Sequence, residues 1–365
     1  MNLTASPFVG TLELALSSAL LHLKSLDDQP AAATASLAQL RRSLDKPLDD
    51  SGVDPDVVIR DLVRDVKGGI LGSAGGRFFA WAIGGAVPAA LAADWLTSAW
   101  DQNAALFACS PSSAVVEEVA WEWLKELLGL PASASVAFVS GCQMAHVCCL
   151  AAARHALLFE RGWDVERLGL CGAPPIRILA SNRHGSVERA VRLLGLGGGN
   201  VVDLELDSNE RITSGALGAA LATAPDAATI VILQAGDLNT GTFDNYREVI
   251  PLARAHGAWV HVDGAIGLWA GASPQFRHLL DGSSERRLLG HGWAQMAQRS
   301  VRLWLRLRRS TRGPSGSTVT SSALTWFTTR MRATKSTGTR NGLAERGVSL
   351  PMRRFIRWGE VGSRP

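Results

Sequence analysis

The chain has 365 residues, 47% of them hydrophobic and 19% charged, which is the composition of a globular protein with a large core. It contains no run of eighteen apolar residues without charge and no basic start of a secretory signal, so we expect a cytoplasmic protein without a membrane segment. Its five cysteines include no Cys-x-x-Cys pair, which argues against a disulfide framework or a zinc site and predicts reduced thiols in a core.

The net charge of +4 conceals two regions of opposite sign. Residues 284–365 contain 17 Lys and Arg against 3 Asp and Glu, whereas residues 1–283 contain 20 against 30. The body therefore carries −10 and the tail +14. A basic tail suggests nucleic acid, but this one lacks hydrophobic periodicity, and we expect it to be disordered or poorly packed.

Residues 1–75 show the apolar spacing of helices, with a break near residues 47–55. Farther along, short apolar runs alternate with helical stretches. The predicted strands cover residues 136–139, 176–180, 201–206, 229–234 and 259–262, and the predicted helices cover residues 89–100, 114–130, 144–159, 186–194, 214–224 and 246–256. This alternation predicts an α/β fold with a mostly parallel sheet covered on both faces. Ligands of such sheets bind beyond the carboxyl ends of the strands.

The sequence Trp259-Val-His-Val-Asp263-Gly-Ala265 places a carboxylate at the end of a predicted buried strand. An unpaired buried charge is costly, so Asp263 needs a cationic partner. A protonated pyridine nitrogen is such a partner, and a ring kept protonated accepts the electrons released when a bond to Cα breaks. The small Ala265 would let the ring lie flat against the strand. The alternative role for Asp263 is to cap the next turn.

Small residues in the sequence Ser140-Gly-Cys142-Gln143-Met-Ala follow the first predicted strand and open a predicted helix. A helix N-terminus offers free backbone N–H groups and the positive end of the helix dipole, which suits a phosphate. Any strand-to-helix turn in this kind of fold favours Gly and Ser. An ordinary turn is therefore the alternative.

Two more polar segments follow predicted strands. His184 stands between a strand and a helix, where an imidazole can stack on a flat heteroaromatic ring and reach substrate protons. Thr240 lies in the segment 234–244, which brings hydroxyl and amide groups to another strand end. The alternative for His184 is an ordinary polar turn residue, and the alternative for the segment with Thr240 is a polar loop.

In order and spacing, these four segments resemble the group II pyridoxal-phosphate (PLP) dependent decarboxylases, the family of aromatic-amino-acid, histidine and glutamate decarboxylases. The resemblance covers residues 75–283 and is closest to bacterial members with a Gly-Cys-Gln-Met-Ala-His turn. It implies the aminotransferase-like architecture of fold type I PLP-dependent transferases. The expected regions are a helical N-terminal segment at residues 1–75, a PLP-binding large domain at residues 76–283 and an aberrant tail at residues 284–365 in place of the C-terminal small domain.

The resemblance also implies a role for each candidate residue. Cys142 and Gln143 would face the phosphate, His184 would stack on the ring, Thr240 would contact the cofactor, Asp263 would bind the pyridine nitrogen and Ala265 would lie behind the ring. His184 and Asp263 would be the catalytic members of this set. A small-molecule amino-acid substrate and a homodimer with active sites formed across it are implied as partners.

The family's Schiff-base lysine, expected in a His-Lys-Trp segment after the aspartate, is missing. The lysines of this sequence are Lys24, Lys46, Lys67, Lys125 and Lys335. The coding bases can be read in a shifted frame that starts at the second base of each present codon. In that frame the codons of Met296 and Ala297 must encode Trp. Suitable third bases then allow the sequence His-Lys-Trp, with the lysine 32 positions after Asp263. We hypothesise that translation leaves the ancestral frame near residues 283–286, in a pseudogene or through a sequencing error. A weaker match at residues 337–348 implies a second slip.

The sequence therefore predicts an ancestral decarboxylation of an L-amino acid to an amine, and a present chain that does not catalyse it efficiently. Aromatic amino acids, 2,4-diaminobutyrate and glutamate remain open as substrates. One alternative is another fold-type I enzyme, such as an aminotransferase, a lyase or a cysteine desulfurase. A non-enzymatic nucleic-acid binder rests on the basic tail alone, and we expect no nucleic-acid partner.

Overall fold

The computed structural model describes residues 6–48, 50–80, 85, 87–132, 134–283, 291–296 and 323–327. Two compact units divide the chain between Ala86 and Val87. The domain boundaries expected after residues 75 and 283 stay predictions. Two further predictions concern residues outside the described ones. They are the disorder or poor packing of the basic tail, of which the structure describes two short strands, and the second slip at residues 337–348.

The regular elements described in the first unit are helices, as the apolar spacing predicted. Its helices are α1 (Val9–Lys24), α2 (Leu37–Leu44) and α3 (Pro55–Asp65). Helix α2 begins with a capping box in which Ser36 and Gln39 bind each other's backbone N–H groups, and α3 begins with the cap Asp54 followed by Pro55. Local sequence signals therefore determine where these helices start.

The second unit alternates helices and strands. Its helices are α4 (Pro88–Trp100), α5 (Pro111–Leu128), α6 (Cys142–Phe159), α7 (Val165–Leu168), α8 (Gly185–Leu193), α9 (Ser214–Ala222) and α10 (Tyr246–Ala255). Its strands are β1 (Ser135–Ala137), β2 (Ile176–Ala180), β3 (Val201–Asp203), β4 (Ala228–Gln234), β5 (Trp259–Asp263), β6 (His291–Met296) and β7 (Ala323–Phe327). The strands predicted from short apolar runs are all present, although β1 and β3 are shorter than expected.

In the part of the chain that the structure describes, seven strands form one sheet in the order β1-β7-β6-β5-β4-β2-β3. The run from β6 through β5, β4 and β2 to β3 is parallel, whereas β7 is antiparallel to both of its neighbours. The predicted α/β fold with a mostly parallel sheet is confirmed. Parallel strands bring their carboxyl ends to one edge, where the candidate residues lie.

Buried side chains cover both faces of this sheet. Every residue of β4 from Ala228 to Leu233 is buried, and successive side chains point to opposite faces. Ile230 and Ile232 join a core cluster that includes residues of α6 and α8, whereas Val231 and Leu233 join a cluster with residues of α5, α9 and α10. Helices on both faces explain why the central strands consist mainly of apolar residues.

Helix α6 is a core helix of the second unit. It is the one described helix long and apolar enough to cross a membrane, but its Leu150, Ala153 and Leu157 are buried in the core with β2 and β4. All five cysteines are free thiols, yet Cys109 and Cys171 are exposed. The prediction of core thiols is therefore right for the buried Cys149 and wrong for these two, which lie outside the strands and helices.

Candidate active site

Strands β4 and β5 end side by side at the carboxyl edge of the sheet. Their last residues, Gln234 and Asp263, are partners in the parallel register. The N–H group of Ala235 donates to the carbonyl oxygen of Asp263 over 2.8 Å. The segments that follow β4 and β5 therefore begin next to each other at the carboxyl edge of the sheet, which is where parallel sheets bind ligands.

The carboxyl group of Asp263 is buried and charged. Asp263 is only 5% exposed, its Oδ1 accepts the N–H of Ala265 over 3.1 Å, and its Oδ2 lies 3.4 Å from Nε2 of His146 on α6. Burial by itself raises the pKa of Asp263, but the hydrogen bond and charge of His146, the N–H of Ala265 and the charge of His261 together hold it below its ordinary value. The buried group is thus a carboxylate at neutral pH.

Asp263 performs the alternative role that the sequence left open as well as offering a charge. Oδ1 caps the turn at Ala265, whereas Oδ2 faces His146. Sequence reasoning missed His146, which lies four residues into α6. It also passed over His261, although alternation in a buried strand puts residues 261 and 263 on the same face. Two polar residues at alternate positions of an apolar strand were the signal that could have found this group.

The N-terminus of α6 contains both predicted phosphate residues. The helix begins at Cys142, two residues earlier than predicted, so that Cys142 and Gln143 lie in its first turn. The preceding Gly141 has no side chain to cap the N–H groups of that turn. Burial, together with the nearby negative charge of Asp263, raises the pKa of the Cys142 thiol to about 12. Cys142 is therefore neutral and lies within electrostatic reach of Asp263.

The side chain of Gln143 is directed to α8. Its Nε2 donates to the carbonyl oxygen of Ser186 over 3.1 Å, and its Oε1 accepts from Nε of Arg189 over 2.7 Å. Gln143 therefore offers its backbone N–H, and not its amide side chain, to an anion at the start of α6. The prediction that Gln143 faces a phosphate is retained as a prediction for the backbone.

His184 is the N-cap residue of α8, and its side chain is exposed. Its Nδ1 accepts the N–H of Ser186 over 3.3 Å and lies 2.7 Å from the Ser186 hydroxyl oxygen. The neighbouring Arg183 pairs with Asp203 and with Glu188, which fixes the turn before the helix. An imidazole held through one nitrogen with its ring exposed can lie against a flat ligand.

Thr240 lies on the loop between β4 and α10. Its hydroxyl donates to Oδ1 of Asp237 over 3.1 Å, and the residue is exposed. The loop is closed by Asp244, whose two carboxyl oxygens accept the N–H groups of Ile212 and Gln234 over 2.8 and 2.7 Å. The contacts described for Thr240 do not join it to the other five candidate residues. Its contact with a cofactor stays a prediction.

Replacing Asp244 with asparagine is expected to lower the free energy of unfolding by about 1–3 kcal/mol. The amide would turn one N–H donor toward a backbone N–H, either that of Ile212 or that of Gln234, and leave it without an acceptor. Denaturant unfolding of the purified chain measures the change. The exposed Asp226→Asn serves as the control, and an equal stability of the two variants would refute the bridging role of Asp244.

The conserved domain of pyridoxal-dependent decarboxylases matches residues 38–285, which is more than half of the chain. The chain belongs to the pyridoxal-dependent decarboxylase family. This finding confirms the family and the class of cofactor that the sequence motifs predicted.

Several decarboxylases are similar to the chain over part of their length. The aromatic-L-amino-acid decarboxylase of Bacillus atrophaeus is 28% identical over 264 residues, which are 72% of this chain and 53% of that protein. The L-2,4-diaminobutyrate decarboxylase of Rhizobium meliloti is 32% identical over 185 residues, 50% of this chain and 35% of that protein. The chain spans about half the length, or less, of the curated relatives it matches.

The solved structures agree on the architecture. The crystal structure of Oryza sativa TDC with PLP superimposes with a TM-score of 0.75 at 23% identity, covering 91% of this chain and 69% of that one. The crystal structure of mouse CSAD gives a TM-score of 0.70 at the same identity, covering 87% of this chain and 63% of that one. At such identity the likeness establishes the fold of pyridoxal-dependent decarboxylases for this chain.

The described residues fit noncovalent binding of the decarboxylase cofactor. Asp263 is a buried anion for a protonated pyridine nitrogen, and the first turn of α6 is an uncapped helix N-terminus. A covalent attachment point is a different matter. Strand β6 places Ala294 opposite Asp263 in the parallel register, and the next residues in the sequence are Gln295 and Met296. None of these three side chains carries the amine that a Schiff base requires.

Proposed function

We propose that the ancestral function of this chain is the PLP-dependent decarboxylation of an L-amino acid to an amine, and that the 365-residue chain does not catalyse it efficiently. The observation that carries this proposal is the buried carboxylate of Asp263 at the carboxyl end of β5, in a chain of the decarboxylase family. His146 faces its Oδ2 within the protein, and a protonated pyridine ring at the carboxyl edge of the sheet would be a second partner of opposite sign.

PLP, when bound, supplies an electron sink for the electrons left behind as CO2 departs. Asp263 would keep a proton on the ring nitrogen because its carboxylate is charged and shielded from water. The N–H groups at the start of α6 would hold the phosphate, with Cys142 adding no competing charge. His184 would stack on the ring and exclude water from it, and Ala265 would leave room for the ring. Thr240 would contact the cofactor from the loop after β4.

The missing lysine is the basis of the expected inactivity. A chain without it binds the cofactor only through ionic and hydrogen-bond contacts. The register of β6 supports the hypothesis of a lost reading frame. Ala294 lies opposite Asp263, and the lysine codon of the shifted frame spans the codons of Gln295 and Met296. The ancestral lysine would thus stand on the strand next to the acid.

Nucleotide reads from the codon of Asp263 to the stop codon test this hypothesis. We expect a slip of one base near residues 283–286 and a lysine codon in the shifted frame. An uninterrupted, high-quality frame with no lysine codon in the shifted register would refute it.

The activity is tested on protein expressed from a frame-restored gene. We expect it to release CO2 and one amine from one member of a panel of aromatic amino acids, 2,4-diaminobutyrate, glutamate and cysteine sulfinate. The 365-residue chain should release neither above the rate without protein, and its spectrum with PLP should lack the active-site Schiff-base band that the frame-restored protein shows. The control is the restored protein with alanine in place of the recovered lysine. Formation of a keto acid instead of an amine would favour an aminotransferase of the same fold.

The proposal also includes a homodimer and a cytoplasmic location. Exposed apolar side chains of the first unit support an association of chains, because Phe8 is 69% exposed and Leu12 and Leu21 on α1 are 54% and 69% exposed. Sedimentation velocity of the frame-restored protein tests the dimer, and a monomer at micromolar concentration would contradict it. Cell fractionation of the native host tests the location.

A further inference from the structure

Three titratable side chains form a buried chain of contacts beneath the carboxyl edge of the sheet. Oδ2 of Asp263 lies 3.4 Å from Nε2 of His146, and Nδ1 of His146 lies 3.0 Å from Nε2 of His261. His146 is 1% exposed and His261 is 0% exposed. Polar groups buried to this degree are retained when they bind each other, because each would be costly alone.

The order of the atoms restricts where the protons can be. A proton on Nε2 of His146 points at the carboxylate of Asp263, and one further proton lies between His146 and His261. When that second proton is on His146, the imidazole is a cation beside the carboxylate. When it is on His261, His146 is neutral and still donates to Asp263. Both arrangements leave Asp263 as an acceptor.

We propose that His146 is a positioning residue of the cofactor site: it is the internal partner that keeps the Asp263 carboxylate charged and oriented before a ring binds, and His261 holds His146 in place. This inference rests on the proposed function for the identity of the ring, but the pairing of His146 with Asp263 does not. His146 meets one carboxylate oxygen from α6, and Oδ1 is held by the N–H of Ala265.

The other titratable groups around Asp263 cannot replace His146. Cys142, also on α6, is neutral because burial and the charge of Asp263 raise its pKa to about 12. The phenol of Tyr246, at the start of α10, is neutral because burial and the charges of Asp244 and Asp263 raise its pKa, and its hydroxyl donates to the carbonyl oxygen of Gln234. Among the described residues, the side chains that hold the pKa of Asp263 down are thus those of His146 and His261.

Thermal unfolding of the cofactor-free 365-residue chain against pH tests the pairing. We expect His146→Phe to lower the Tm by about 5–10 °C at pH 8, because it leaves a buried carboxylate unpaired. His146→Gln, which can donate to Asp263 and accept from His261, should retain most of the stability. The control is His155→Phe on the same helix, whose imidazole stacks on Phe159 away from the site.

The sign of the pH dependence separates pairing from simple packing. In the wild type the pKa of Asp263 is lowered, so its contribution is lost only as pH falls below the ordinary carboxyl range. In His146→Phe burial dominates and raises that pKa. The penalty is then complete above the raised pKa and disappears as pH falls toward the unfolded value. The Tm deficit should therefore shrink by at least about half between pH 8 and pH 5, whereas that of His155→Phe, which removes an imidazole 3.7 Å from Glu166, should not shrink.

A double variant keeps the test decisive if His146→Phe alone does not fold. Asp263→Asn removes the charge, so His146→Phe/Asp263→Asn should fold and should show no pH-dependent deficit. A deficit of His146→Phe that is equal at pH 8 and pH 5, or a double variant as unstable as the single one, would overturn the proposal.

Binding of pyridoxamine 5′-phosphate tests the role of His146 in holding the cofactor. This probe is an analogue of PLP that has no aldehyde to react with surface lysines. Equilibrium dialysis should show the affinity of His146→Phe, relative to wild type, falling about tenfold or more from pH 8 to pH 6, as Asp263 takes up a proton. A constant ratio would overturn the positioning role. If the wild type does not bind the probe but the Tm pattern appears, the cofactor assignment fails while the pairing of His146 with Asp263 stands.

Discussion

Replacement of Asp263 with alanine is expected to lower the affinity of the 365-residue chain for pyridoxamine 5′-phosphate by about 100-fold or more. Removing one partner of a buried ion pair costs about 3–5 kcal/mol, and each 1.4 kcal/mol corresponds to a factor of about ten in the dissociation constant. Asp263 qualifies for this range because it is 5% exposed and is held charged by His146 and by the N–H of Ala265. Equilibrium dialysis at neutral pH measures the loss.

The fold should survive this change. Alanine gives up two contacts, with the N–H of Ala265 and with Nε2 of His146, and also removes a charge whose burial is itself unfavourable. Circular dichroism should therefore resemble that of the wild type. The control is Asp226→Ala, an exposed aspartate before β4, which should bind the probe with unchanged affinity. Equal affinities of the Asp263 variant and the wild type would remove the basis of the proposed function.

Replacement of Gly267 with alanine is expected to lower the free energy of unfolding by about 3 kcal/mol or more, at the upper end of overpacking effects. Its N–H donates to the carbonyl oxygen of Ala235 over 2.8 Å. A Cβ atom at this position would lie 2.3 Å from that same oxygen and 2.6 Å from the ring of Phe243. Both contacts are shorter than any stable packing distance, so the segment after β5 would have to move away from the loop after β4.

A second glycine in the same unit provides the control. Gly215 lies in α9, where an added Cβ would meet nothing within 4 Å. Gly215→Ala should be neutral or stabilising by up to about 1 kcal/mol, because alanine favours the helix. Denaturant unfolding of both variants measures the contrast. A stability of Gly267→Ala close to that of Gly215→Ala would show that the two strand-end segments do not need their close approach.

The sequence predicted the layers of the fold well because local patterns determine them. Mostly apolar runs predicted β2, β4 and β5 almost residue for residue, since strands buried on both faces consist mainly of apolar residues. The start of α6 was placed two residues too late, at Met144 instead of Cys142, because Cys142 and Gln143 belong to no apolar repeat. The strand-end rule then located Asp263 and His184 correctly at one edge of the sheet.

What the sequence could not provide was the set of contacts between elements. The meeting of His146 with Asp263 depends on the rotation of α6 against β5, which no spacing within either element specifies. The same holds for Gln143, whose long side chain reaches α8 instead of the helix start. Thr240 was chosen as a polar residue at a strand end, yet its nearest described partner is Asp237 on its own loop.

Ser186 receives contacts from two candidate residues at once. Its carbonyl oxygen accepts from Gln143, and its N–H donates to the imidazole of His184. These two hydrogen bonds link the N-terminus of α6 to that of α8. A ligand bound as we propose, with its anionic end at α6 and its flat end against His184, would therefore meet two N-termini at a fixed separation, which would restrict the distance between its two ends.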